Sequence, residues 1–76
     1  MRGQINHLLK RERKRQFWTT KEAAELAGVS NLTYIRWEQG TQLPHLSSLK
    51  LLCEAFRTTP ECLGFSDLVN ADGKDS

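Results

Sequence analysis

Asn31, Leu32, Ile35, Arg36 and Gln39 lie within the stretch "VSNLTYIRWEQG", residues 29–40. At about 100° per helical residue these five share one side, while Thr33, Tyr34 and Trp37 fall with Ser30 on the other. The outer set has a definite chemistry. A carboxamide pairs with adenine N6 and N7, a guanidinium with guanine O6 and N7, and Leu or Ile can meet a thymine methyl in a major groove. Two readings stand at this point. Single exposed aliphatics are ordinary on protein surfaces, and Leu32 with Ile35 could instead touch a partner helix.

Such a face needs a short, firmly placed helix, and the flanking residues provide one. Ser30 is a good N-cap, and Gly40 stops the helix after Gln39. Before it, "TTKEAAELAG" has Thr19 as N-cap and Glu22 three residues later, a capping box, and Gly28 closes that helix in the left-handed conformation that glycine adopts freely. Two helices joined by a short glycine turn cross steeply, so the residue at the crossing must be small. Ala24 fits that place, and Tyr34 and Trp37 can pack back over it.

Other elements complete the unit. Ile5, Leu8 and Leu9 begin an apolar stripe that runs through the KRERKR stretch toward Phe17 and Trp18, predicting a first helix over about residues 5–16. Leu46, Leu49, Leu52, Cys53 and Phe56 predict a fourth over about 46–57. Thr59 as cap and Pro60 at the first helical position predict a short fifth helix ending near Phe65. The expectation is an all-α, compact five-helix bundle with a helix-turn-helix over residues 1–65, and a polar tail or linker over 66–76.

The net charge of +2 is unevenly spread. Residues 1–40 hold eight Lys or Arg against four Glu, and residues 41–76 hold three against five acids. A basic half of this kind suits a polyanion, although a charge run such as KRERKR is usually a solvated helix face. Cys53 and Cys62, with eight residues between them, read as small buried or half-buried hydrophobes. With His7 and His45 they form no close ligand pair, so no metal or cofactor is expected. Nor is there a nucleophile–base–orienter set or a glycine-rich phosphate loop, so an enzyme is not expected. No apolar run reaches the roughly eighteen residues of a membrane span, and the basic start lacks the apolar core of a signal peptide. The chain reads as cytoplasmic, with no small-molecule ligand evident.

Taken in order, "LLKRERKRQFWTTKEAAELAGVSNLTYIRWEQG", "LP…LSSLKLLCEAF" and "TTPECLGF" resemble the helix-turn-helix family of phage Cro and repressor proteins (XRE-like) over roughly residues 5–65. The resemblance implies that Asn31 and Leu32 are the principal base-reading residues, joined by Arg36 and assisted by Thr33 or Ile35. It implies phosphate contacts at Thr19, Thr20 and Gln39; Lys21, Lys14, Thr41 and Gln42 extend them as candidates, and of these Lys14 is read first as an ordinary solvated lysine. It also pairs Arg13 with Glu38, tying the first helix to the third. The chain departs from the family at three positions. Thr20 replaces a longer Gln that buttresses the base-reading residue. Phe17 stands where Gly or another turn residue is common, so a different exit from the first helix is expected. His45 replaces the usual Ser or Asp cap, so a different start of the fourth helix is expected.

The implied function is sequence-specific binding of double-stranded DNA in transcription regulation, with a homodimer on a palindromic or repeated site supplying affinity. Alternatives are a protein-interaction module on the same fold, antitoxin-like or adaptor, and an excisionase or MerR-like DNA-binding domain. The latter would follow its helix pair with a wing of strands.

Overall fold

The computed structural model describes residues 5–65. They form α1 (His7–Arg15), α2 (Thr20–Ala27), α3 (Asn31–Gln39) and α4 (Leu46–Phe56), with no strand among the described residues. The all-α class and the helix-turn-helix are therefore present, and among the described residues after α3 there is no wing of the kind an excisionase or MerR-like reading requires. The tail expected over 66–76 lies outside the described residues.

α2 is the centre of the packing and contacts both α3 and α4, while α1 lies on α3. Its buried side chains are Ala23, Ala24 and Ala27. Three methyl groups on one face let the neighbouring helices approach closely, and Ala24 is buried in the core cluster as that place requires. Tyr34 and Trp37 fill the space above, with ring centroids 5.9 Å apart and planes at 66°. Leu49, Leu52 and Phe56 close the core from α4, and Trp18 meets Phe56 edge-on at 5.1 Å. Leu9, Leu63 and Phe65 complete it.

Several expectations need correction. The apolar stripe of the first helix is mostly outside: Leu9 is buried, but Ile5 and Leu8 are exposed and Phe17 is 93% exposed. The helix starts at His7 because Asn6 caps it, its Oδ1 accepting the Leu9 N–H at 3.0 Å. The inward row then continues through Glu12 and Arg13, which are buried as charged partners rather than as apolar surface.

The fifth helix is not formed. Residues 60–64 make successive tight turns, with Leu63 N–H on the Pro60 carbonyl at 3.0 Å and Gly64 N–H on that of Glu61 at 3.2 Å. Gly64 at φ +83° ends the segment after a single turn, and the Phe65 N–H returns to the Pro60 carbonyl at 2.9 Å. A cap and a Pro at its first position start a helix, but nothing propagates it across a left-handed glycine. On that turn Cys62 is exposed, not buried, and Cys53 is half-buried.

Neither the different exit from α1 expected at Phe17 nor the different start of α4 expected at His45 is found, since α4 begins at Leu46. Phe17 takes φ +62° itself, and the Trp18 N–H reaches back to the Arg13 carbonyl at 3.3 Å. The glycine-type exit is kept, with a bulky residue in the strained position. His45 precedes α4 in an extended conformation and makes no side-chain cap hydrogen bond.

Candidate nucleic-acid interface

Both ends of α3 are closed by its own chain. Ser30 Oγ accepts the Thr33 N–H at 3.2 Å, and Gly40 at φ +79° turns the chain so that the Thr41 N–H bonds the Arg36 carbonyl at 3.0 Å. α2 is closed in the same way. Thr19 Oγ1 accepts the Glu22 N–H at 3.1 Å while Glu22 Oε1 accepts the Thr19 N–H at 2.8 Å, and Gly28 at φ +75° forms the exit. The pair is thus a rigid frame whose loop is short at both the α2 exit and the α3 entry.

A second brace holds α3 from behind. Arg13 Nε donates to Glu38 Oε2 at 2.6 Å and Arg13 Nη2 to Oε1 at 3.3 Å, while Nη1 donates to the Trp18 carbonyl at 2.9 Å. One guanidinium joins α1, the α1–α2 connection and the last turn of α3. The Glu38 side chain holds the Arg13 charge more firmly than usual, raising its pKa against the opposing effect of burial. The Asn6 N–H adds a bond to the Glu38 carbonyl at 2.8 Å.

The outer face of α3 is left for other contacts. Asn31, Leu32 and Arg36 are exposed, and Leu32 shows 56% of its surface. The Asn31 and Arg36 side chains make no hydrogen bond or ion pair within the described residues. Ile35 is half-buried, at the edge of a groove shared with Lys10, Thr20 and Gln39. Thr33 is half-buried too, and its hydroxyl oxygen lies 3.0 Å from that of Ser30. It faces the helix entry, apart from Arg36.

The residues expected at phosphates surround this face unequally. Thr19, Lys21, Gln39, Thr41 and Gln42 are exposed and Thr20 is half-buried. Thr19 spends an acceptor position in its capping box, so its hydroxyl proton remains available to an anion. The first amides of α2 also lack intrahelical partners and carry the positive end of the helix dipole. Thr41 differs: its hydroxyl donates to the Arg36 carbonyl at 3.4 Å, as does its N–H, so both its donors serve the α3 exit.

Sequence reading missed Asn6, whose side chain serves two elements. Besides capping α1, its Nδ2 donates to the Leu63 carbonyl at 2.9 Å. Asn is a good cap residue, but a stripe starting at Ile5 put Asn6 inside the expected helix, which hid the signal. Among the described residues no cluster of His, Cys, Asp and Glu could hold a metal ion, and no helix is long and apolar enough to cross a membrane. The exposed Cys62 thiol is pushed down by hydrogen bonds from Thr58 and Thr59, and Cys53 is pushed up by burial.

Comparison with known proteins agrees with this geometry. A family model described as Helix-turn-helix matches residues 9–61. Over 53 residues the chain is 38% identical to the HTH-type transcriptional regulator AnsR of Bacillus subtilis (strain 168), an alignment covering 68% of this chain and 46% of AnsR. The chain thus spans about half the length of that curated relative. No solved structure matches significantly. With the match running from α1 through α4 and into the turn beyond, the chain belongs to the helix-turn-helix family of the XRE type.

Proposed function

We propose that this chain is a sequence-specific double-stranded DNA-binding unit of a transcriptional regulator, reading the major groove with α3. The observation that carries the reading is the division of α3 into two faces. Tyr34, Trp37 and Glu38 are buried and braced, while Asn31, Leu32 and Arg36 project with no internal partner among the described residues. Asn31 and Arg36 have the bidentate groups that distinguish adenine and guanine, and Leu32 has the apolar surface for a thymine methyl. Thr33 and Ile35 border this set. Thr19, Thr20, Lys21, Gln39 and Gln42 flank it as phosphate contacts that set the register without reading sequence. The name of the Bacillus relative, a transcriptional regulator, supports the same role. A unit of this size buries limited surface on DNA, and a homodimer on a palindromic or repeated site supplies the remaining affinity.

The test is selection from a randomised duplex pool followed by fluorescence-anisotropy titration of wild type and Arg36→Ala. Wild type enriches a defined sequence, and Arg36→Ala relaxes the preference at one base pair by about 1–3 kcal/mol. Binding without any enriched sequence would overturn the reading and direct attention to a protein partner at Leu32 and Ile35.

A further inference from the structure

α1 carries five cations, and the structure accounts for three of them. Arg13 is committed to Glu38. Arg11 and Arg15 share Glu12, the single acid of the helix, at 3.6 Å and 3.2 Å. Lys10 and Lys14 form no ion pair among the described residues. They are four residues apart, hence on one face with Cβ atoms about 5–6 Å from each other, an arrangement that weakens a helix slightly. Lys14 at least lies in the last turn, where the dipole favours a cation. Lys10 has no such compensation, and the first turn contains no acidic residue to oppose it. Helix stability gives no reason for this pair.

Position gives one. Lys10 lines the groove that also holds Thr20, Ile35 and Gln39, so it reaches the edge of the α2–α3 face. It also lines an adjoining shallow hollow with His7, Arg11, Lys14 and Arg15 on the outer side of α1. The two concavities meet at Lys10, and positive charge continues from the α3 face along α1.

We propose that Lys10 and Lys14 form a phosphate track for the duplex flanking the base pairs read by α3. Lys14 is then a contact residue rather than a solvated lysine. The proposal rests on the DNA-binding reading and adds a surface outside the helix-turn-helix. Its partner chemistry is the sugar–phosphate backbone, held by charge alone and blind to sequence.

The experiment measures the slope of log K against log salt for wild type, Lys10→Gln/Lys14→Gln and Lys50→Gln. Lys50 is an exposed cation on α4, which packs on α2. Two duplexes carry the enriched sequence, one with long flanks and one trimmed to the selected base pairs. On the long duplex the double variant should lose about two units of slope, at ~0.9 per phosphate contact. On the trimmed duplex it should match wild type. Lys50→Gln should match wild type on both, and all three proteins should share a thermal midpoint and the same base preference.

An unchanged slope for the double variant, with sequence selection intact, would overturn the track and leave the DNA-binding reading standing. An equal loss on both duplexes would overturn the flanking assignment. Failure of wild type to select any sequence would overturn both. A fourth assay uses phosphatidylserine–phosphatidylcholine vesicles: binding lost in the double variant, with its DNA slope unchanged, would assign the stripe to a membrane surface instead.

Discussion

The Asn6 carboxamide occupies the space that a side chain at Gly64 would need. A Cβ built there would collide with Asn6 Oδ1 and lie 2.9 Å from its Cγ, and Gly64 also holds φ +83°. The start of α1 and the turn at Gly64 are therefore fitted to each other, and the adjoining Asn6–Leu63 hydrogen bond joins residues 57 positions apart in sequence.

Gly64→Ala should accordingly lower the unfolding free energy by about 1–3 kcal/mol through strain and displacement of Asn6. In an Asn6→Ala background the collision is gone, and only the left-handed penalty of about 1–2 kcal/mol should remain. Urea titrations of the four members of this cycle measure the difference. Strict additivity would show that the two residues do not meet.

The buried Arg13–Glu38 pair makes an asymmetric prediction. Removing one partner, as in Arg13→Met, strands a carboxylate away from water and should cost about 3–5 kcal/mol. A chain of this size has a total stability of only about 4–11 kcal/mol, so the variant should lose a large share of it and melt far below wild type. Arg13→Met/Glu38→Leu removes both charges and should recover most of the loss. Circular-dichroism melts of the three proteins test this, and a double variant as unstable as the single one would refute it.

Tyr34 is fully buried, and its hydroxyl has no hydrogen-bond partner among the described residues. Tyr34→Phe should thus be neutral or stabilising by up to about 1 kcal/mol at pH 7, whereas losing a good hydrogen bond would cost that much. Burial pushes the phenol well above its ordinary value, with the Glu38 charge adding to the effect. The unfolded chain sheds this proton near pH 10 and the folded chain retains it. Stability from this group is full below about pH 10 and declines as pH rises beyond it. The alkaline decline should be shallower in Tyr34→Phe, as read by urea midpoints between pH 8 and pH 11.

Phe17 is a large residue in the left-handed region with its side chain in solvent. Replacing it with Gly relieves about 1–2 kcal/mol of backbone strain and adds about 0.5–1 kcal/mol of unfolded-chain entropy. The net gain of about 0.5–1 kcal/mol should raise the melting temperature by roughly 2–8 °C. A lower melting temperature for Phe17→Gly would mean that the ring makes contacts that offset the strain.

These residues also show what could be read from sequence. Thr19, Glu22, Gly28, Ser30 and Gly40 act within a few positions of themselves, and each cap formed where it was expected. Ala24, Tyr34 and Trp37 were legible because helical periodicity sets their side of the helix. The outer set was legible for the same reason, except that Ile35 proved half-buried once α1 was placed beside it. Failures came where distant parts meet. Leu8 and Phe17 looked like core until Glu12 and Arg13 took the inward row of α1. Asn6 depends on Leu63, which no local pattern reveals. The turn over 60–64 had the opening of a helix, but its length was decided by Gly64 against Asn6.

The closure of α3 at both ends has a calorimetric consequence. A free helix of nine residues would be marginal in water, so a reader that formed it only on contact would pay roughly 2–5 kcal/mol for ordering and show the heat-capacity signature of folding. Here Ser30 and Gly40 have already set the helix, and Arg13 has already set its pose. On the proposed DNA-binding reading, association at α3 should therefore carry only the heat-capacity change of the surface it covers, and its selectivity should be that of a preformed shape.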